Sequence, residues 1–274
     1  MAKTIITAAL TGAVTPAGYH IPETPEQIVQ AAYECWQLGA AVVHIHTRAA
    51  DGKGAMNTQA FREIVEGIRA HKDCDVIINC TSSGASPEHP ATDEERFLHH
   101  MTVPGIEMGS YSFNWMPGGV FVNSPQFLQK LGDAYLEKGI KPEIEIFDAG
   151  MLGIADYFVK KGHLSTPCHY QFCLGVLGGM PATVENLIYL KDRIPTGSTW
   201  SPLPILYAAL ALGGHIRVGM EDNVIFGKDE NGKKIMATNQ MLVQRAVEAV
   251  KLFGNQPATP AEAREILGIP PLVR

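Results

Sequence analysis

The stretch Ala41-Val42-Val43-His44-Ile45-His46-Thr47-Arg48 decides how this chain is read. Apolar β-branched residues lead into it and polar residues leave it, the pattern of a buried parallel strand whose carboxyl end opens onto a loop. Side chains two apart on a strand point the same way, so His44, His46 and Arg48 share one face and Val43, Ile45 and Thr47 the other. Similar runs recur at Thr4 to Thr11, Asp75 to Ser82, Gly105 to Ser110, Pro142 to Ala149, His169 to Gly175, Ser198 to Leu203 and His215 to Glu221, making eight in all. Each ends in Gly, Ser, Thr, Arg, Leu, Ala or an acid, followed by turn and cap residues.

Segments of helical period separate these runs. In Thr24 to Leu38, Thr24-Pro25-Glu26 supplies a cap, a first-turn proline and an early acid, and Ile28, Ala31, Ala32 and Cys35 line one face. Further helices are expected at Asn57 to Ala70, Ser124 to Lys138, Gly153 to Lys161, Thr183 to Arg193, Pro204 to Leu212 and Thr238 to Phe253. Eight strands alternating with helices in a chain of 274 residues predict a (β/α)8 TIM barrel of the α/β class. A doubly wound open sheet shares the alternation, but it carries a phosphate-binding glycine loop after its first strand, which Thr7 to Gly12 lacks. No Ser/Gly/Pro linker divides residues 1–274, so one domain is expected, with a short C-terminal helical extension from Thr259-Pro260-Ala261-Glu262.

Composition excludes several classes of partner. A net charge of −6 provides no global field for nucleic acid or an anionic membrane, so any anionic ligand must be met by local groups. Five cysteines, odd in number and without a Cys-x-x-Cys pair, argue against a disulfide framework or thiolate zinc site and fit a reducing cytoplasm. The most apolar later stretch, Pro202 to Leu212, is far short of the roughly 18 residues of a membrane span. The opening residues read as a first strand rather than an export signal.

In a barrel, chemistry collects where strands end. His44 and His46 at such an end are either metal ligands or hydrogen-bonded core histidines, and the motif alone does not choose. Strand eight places Arg217, Gly219 and Glu221 on one parity and exits through Glu221-Asp222-Asn223. Because it neighbours strand two across one strand of a closed barrel, Glu221 can complete a His2Glu site open to substrate. Such a donor set suits Zn2+, and also accepts Mn2+, Fe2+ or Co2+. Strand five sets Glu143 and Glu145 on one face, with Arg217 the available cation. Strand three exits as Asn79-Cys80-Thr81-Ser82-Ser83-Gly84, able to hold a carboxylate or phosphate. Ser110 with Asn114 and Trp115, and Gly175 through Gly179, are weaker forms of that signal. His99-His100 falls in a helix where neighbours point apart, which predicts a surface position.

Taken together, Thr7-Ala8-Ala9-Leu10-Thr11-Gly12-Ala13, Val43 to Arg48, Pro142-Glu143-Ile144-Glu145 with Gly150-Met151, Phe172 to Met180, and Gly213 to Asn223 resemble the β-keto acid cleavage enzymes along essentially the whole chain. The resemblance implies a zinc TIM barrel, usually a homotetramer, that converts a β-keto acid and acetyl-CoA into acetoacetate and a new acyl-CoA. It implies zinc on His44, His46 and Glu221. It implies catalytic roles for Asp222 as base, for Arg217 paired with Glu145, and for Thr81 where relatives carry serine. Substrate contacts are expected at Ser82, Ser83, Gly84, Ser110 and Val14.

Two departures stand out. Family members that cleave an amino-bearing substrate have a glutamate where this chain has Val14, which cannot pair with an ammonium group, so a substrate tail without positive charge is expected. The segment Trp200 to Tyr207 runs almost directly into Gly213-Gly214, where relatives carry a longer loop. The alternatives are a metal-dependent barrel aldolase, lyase or hydrolase, since one metal site serves many reactions, or a metal-binding relative without catalysis.

Overall fold

The computed structural model describes residues 1–113 and 122–273; Asn114 and Trp115 lie outside them. Eight parallel strands follow the chain around one sheet: β1 (Ile6–Ala9), β2 (Val42–Ile45), β3 (Ile77–Cys80), β4 (Met108–Ser112), β5 (Lys141–Ile146), β6 (His169–Cys173), β7 (Thr199–Leu203) and β8 (Ile216–Val218). Each strand from β1 to β6 pairs with its successor, and β8 returns to pair with β1, with Thr7 opposite Arg217. The (β/α)8 expectation holds.

Between β7 and β8 no ladder forms among the described residues; His215 N–H donating to Trp200 O at 2.8 Å joins them. The ladder is thus weakest at one seam of the barrel.

Helices α1 (Pro25–Leu38), α2 (Thr58–Ala70), α3 (Leu98–Thr102), α4 (Pro125–Lys138), α5 (Gly150–Lys160), α6 (Val184–Lys191), α7 (Leu206–Ala211), α8 (Asn239–Leu252) and α9 (Pro260–Leu267) complete the layers. Local chemistry sets their ends. Thr24 accepts from Gln27 N–H while the Gln27 side chain returns to the Thr24 backbone, Pro25 opens α1, and Gly39 closes it in the left-handed region. Thr259 and Glu262 form the same reciprocal cap on α9. A hairpin, Ile225–Lys228 against Lys234–Met236, follows β8 and was not expected from the sequence.

Alternation along the strands separates two cores. One parity, including Ile6, Val43, Ile45, Ile78, Ile144 and Phe172, packs outward against the helices. The other points into the barrel. Near the amino ends its residues Ile5, Val42, Ile77 and Met108 cluster with Ala263, Leu267 and Ile269 of the C-terminal segment, which closes that end. Higher up, the same parity carries buried polar residues: His44, Asn79, Ser110, Glu143, Gln171, Ser201 and Arg217. All five cysteines are buried thiols.

The surface position expected for His99-His100 is wrong. Both are buried, at 0% and 3% exposure, because the short α3 packs between α2 and α4 and turns Leu98 and Thr102, not the histidines, to solvent. His99 stacks on Phe61 at 3.9 Å between ring centres.

Candidate metal centre and its surroundings

His44 on β2 and His46, just past its end, project from the inner face and over the carboxyl end of the barrel. Glu221 Oε1 lies 3.7 Å from His44 Nε2 and 3.5 Å from His46 Nε2, and the three ligand atoms all fall within 4.8 Å of one another. A tetrahedral ion with bonds of about 2.0–2.1 Å would hold neighbouring donors about 3.4 Å apart, close to these separations. Glu221 Oε2 is buried without a hydrogen-bond partner. Two imidazoles, a carboxylate and an unsatisfied buried oxygen fit a divalent metal, and burial, which pushes His44 down to about 3, keeps that ring in the neutral form a ligand needs. Glu221 is held well below its ordinary range: burial opposes ionisation, but His46 and Arg217 outweigh it.

The backbone after β8 explains how Glu221 arrives there. The expected strand His215 to Glu221 stops at Val218, because Gly219 adopts φ +145° and its Cα passes so near Ala9 that any Cβ would sit 2.0 Å from Ala9 O. Glu221 N–H then donates to that same Ala9 O at 3.2 Å. Strand parity therefore does not deliver Glu221; a glycine turn does. Gly12, φ +64°, leaves room on the other side, where a Cβ would meet Glu221 Cγ at 2.8 Å.

Arg217, 3% exposed at its side chain, links the acids of the site. Its Nη2 donates to Glu221 Oε1 at 2.7 Å, its Nε and Nη2 grip Asp222 at 3.0 and 3.1 Å, and its Nη1 reaches Glu143 Oε2 at 3.4 Å. These contacts are nearly bidentate toward Asp222. Asn79 Nδ2 also donates to Glu143 Oε2 at 2.9 Å, and His44 Nδ1 lies 3.7 Å from it. Burial pushes Asp222 upward against the pull of Arg217, giving a carboxylate more basic than an exposed one. Asp222, its side chain 15% exposed, lines a cavity beside the ends of β7 and β8.

The expected Arg217–Glu145 pair is not formed. Glu145 accepts from Ser112 Oγ instead, and burial, then the neighbouring Glu143, raises it to about 8, so it is protonated at neutral pH. Glu143 takes the place expected for it because it lies one inward-facing position lower on β5, level with the guanidinium.

The exit of β3 is held from behind. Arg96 Nε donates to Ser82 O at 2.9 Å, His99 Nε2 meets Thr81 O at 3.0 Å and His100 Nε2 meets Cys80 O at 3.2 Å. Three consecutive carbonyls are thereby turned away from the site. Ser82 is spent on Ser110, with bonds of 2.9 and 2.8 Å between them, whereas Thr81 Oγ1 accepts from Ser83 N–H at 2.9 Å and Ser83 Oγ is buried without a partner. Gly84 lies against His46, a Cβ there coming 3.2 Å from its Nδ1. So Gly84 borders His46 with Thr81 beside it, Ser82 and Ser110 brace the turn, and Val14 sits on the loop after β1, 75% exposed. Sequence reasoning named Asn79 in the strand-three exit but not as a partner of Glu143, which its inward parity, shared with Thr81, could have suggested; it missed Arg96.

A model of the beta-keto acid cleavage enzyme family matches residues 3–269. The 3-keto-5-aminohexanoate cleavage enzyme of Acetoanaerobium sticklandii is 37% identical, the alignment covering 98% of this chain and 99% of that one. The 3-dehydrocarnitine:acetyl-CoA trimethylamine transferase of Rhizobium meliloti is 32% identical over 97% and 96%. Among solved structures, apo ObcA superposes with a TM-score of 0.79 at 21% identity, covering 91% of this chain and 65% of ObcA, a likeness of fold. Among the described residues no helix is long and apolar enough to cross a membrane. With the family pattern running almost from end to end and full-length relatives above 30% identity, the chain belongs to the β-keto acid cleavage enzyme family and is an enzyme that cleaves β-keto acids.

Proposed function

We propose that this chain is a zinc enzyme that exchanges acyl groups between a β-keto acid and acetyl-CoA, giving acetoacetate and a new acyl-CoA. The observation that carries this reading is the junction of two devices on adjacent residues: Glu221, which closes the His44–His46 donor set, and Asp222, a basic carboxylate fixed by Arg217. When bound, zinc supplies a Lewis acid for the keto oxygen and so acidifies the carbon between ketone and carboxylate.

Asp222 takes a proton from that carbon. The resulting carbanion attacks the acetyl thioester carbonyl and expels CoA thiolate. The thiolate attacks the former keto carbon, the bond to the central carbon breaks, and the acetoacetate carbanion recovers the proton from Asp222. Acetyl and the original acyl group have exchanged places, so atoms and charge balance. Arg217 stays cationic throughout, because three acids outweigh its burial, and offsets the negative charge of each step. In this reading Thr81, Ser83 and Gly84 hold the substrate carboxylate, and Glu143, bonded to Arg217, orients Asp222. Val14 leaves the substrate tail without an acidic partner at that position, which favours a neutral or apolar tail.

Asp222→Asn should lower kcat by about 10²–10⁴-fold, the usual contribution of a positioned general base, with zinc content unchanged. Wild-type turnover in that variant at normal zinc content would remove the proton-transfer role. Kinetics with a panel of β-keto acids should rank neutral tails above ammonium-bearing ones; a clear preference for the amino substrate would overturn the inference from Val14. The cytoplasm and a homotetramer complete the proposal, the latter testable by sedimentation.

A further inference from the structure

The open seam between β7 and β8 leads into a cavity of about 240 Å³. Its inner wall is Arg217 and Asp222, its sides are Leu203, Leu206 and Val218, and Arg245 of α8 stands in its wall with Tyr207 at 54% exposure beside it. None of His44, His46 or the Thr81–Gly84 turn lines it. Asp222 is therefore approached from two directions, one over the metal ligands and one through the seam.

We propose that the seam cavity receives the pantetheine arm of acetyl-CoA, with Arg245 meeting the phosphates outside; this rests on the acetyl-CoA reading above. The reaction needs the thioester beside the carbon that Asp222 deprotonates, while the keto acid occupies the side bearing the histidines and hydroxyls. The seam cavity gives a second route to that carboxylate among the described residues. Its size selects an arm: 240 Å³ is below the roughly 300–1,000 Å³ that enclose a whole drug-sized ligand, so the nucleotide stays outside. Charge selects an anion at the rim. Arg245 lies 4.5 Å over the Phe226 ring and gives one bond, 2.8 Å, to Phe226 O, and among the described residues no carboxylate forms an ion pair with it. In a chain of net charge −6, this local cation has guanidinium donors available for phosphate.

Steady-state kinetics on the zinc-loaded enzyme separates the occupants. Arg245→Gln should raise KM for acetyl-CoA about tenfold and leave KM for the β-keto acid within twofold, and acetyl-pantetheine, which lacks the nucleotide, should be insensitive to this change. Leu206→Trp, which fills the cavity, should weaken both thioesters about tenfold or more. A rise in KM for the β-keto acid with acetyl-CoA unaffected would assign the cavity to the acyl tail and overturn the proposal, as would no effect on either substrate. If the wild type forms no acetyl-CoA-dependent acetoacetate, the catalytic reading itself fails. The cavity is then tested by calorimetry with acetyl-CoA on folded protein: binding lost in Leu206→Trp supports it, and binding absent from the wild type or unchanged in the variant overturns it.

Discussion

On β2, Val42 and His44 point into the barrel two residues apart; on β3, Ile77 and Asn79 do the same, and on β4, Met108 and Ser110. The lower member of each pair packs in an apolar plug under the C-terminal helix, and the upper member enters a polar network around Glu143 and Arg217 or braces the β3 exit. Strand, parity and neighbours are shared, and one step of two residues along the strand changes the task. Both regions are nearly dry, but they obey different rules: the plug gains by excluding water from apolar area, and the network is tolerable only while each charge keeps its partners. Mutations should therefore separate stability from chemistry by height in the barrel.

The largest effect is expected at the top. His44→Ala or Glu221→Ala should lower the bound zinc and reduce turnover by at least about 10³-fold, because a three-residue donor set loses a member. Metal analysis and kinetics on purified variants check this; full activity without metal would break the comparison. At the bottom, Ile77→Ala should cost about 2–5 kcal/mol in denaturant unfolding, with kcat preserved where the variant is folded. A kcat loss like that of the ligand variants would mean that the two regions are not separable.

The next contrast sharpens the boundary within the polar region. Glu143→Gln removes the charge that Arg217, Asn79 and His44 share and should reduce kcat about 10–100-fold, as loss of partners behind a metal site generally does. Glu145→Gln should be mild at neutral pH, because Glu145, raised to about 8, is already uncharged and bonded to Ser112. Equal losses from both would contradict the assignment of Glu143 to Arg217.

A smaller effect concerns pH. Burial pushes His100 and His169 down to about 3 and His215 to about 4, whereas the unfolded chain protonates them near 6.5. Folded-state values below unfolded ones mean that the unfolded chain takes up more protons, so stability is complete above pH 6.5 and falls as pH drops toward 4. Each histidine contributes up to about 1.4 kcal/mol per pH unit in that window. Urea unfolding at pH 7 and 5.5 measures it, and His169→Gln should flatten the slope.

Much of the fold was legible because periodicity survives in the sequence: eight β-branched runs, caps such as Thr24-Pro25 and Thr259-Pro260, and polar residues at strand exits. The cluster of His44, His46 and Glu221 was legible in part, since His44 and His46 share a strand face and Glu221 was reachable through strand order. What failed depended on tertiary register or a single dihedral. Choosing Glu145 over Glu143 required knowing the height of each carboxylate relative to Arg217, which the stagger between β5 and β8 determines and local pattern does not. Gly219 ended β8 early through a φ of +145°, and α3 buried His99 and His100 because two other helices enclose it.

The most direct test of the account is acetoacetate formation by metal-quantified protein from neutral β-keto acids, with and without acetyl-CoA. The account predicts acetoacetate and acyl-CoA appearing one for one, only when both substrates are present, at rates proportional to bound zinc. Cleavage that proceeds equally without acetyl-CoA, or zinc-loaded protein that turns over no β-keto acid in the panel, would contradict it.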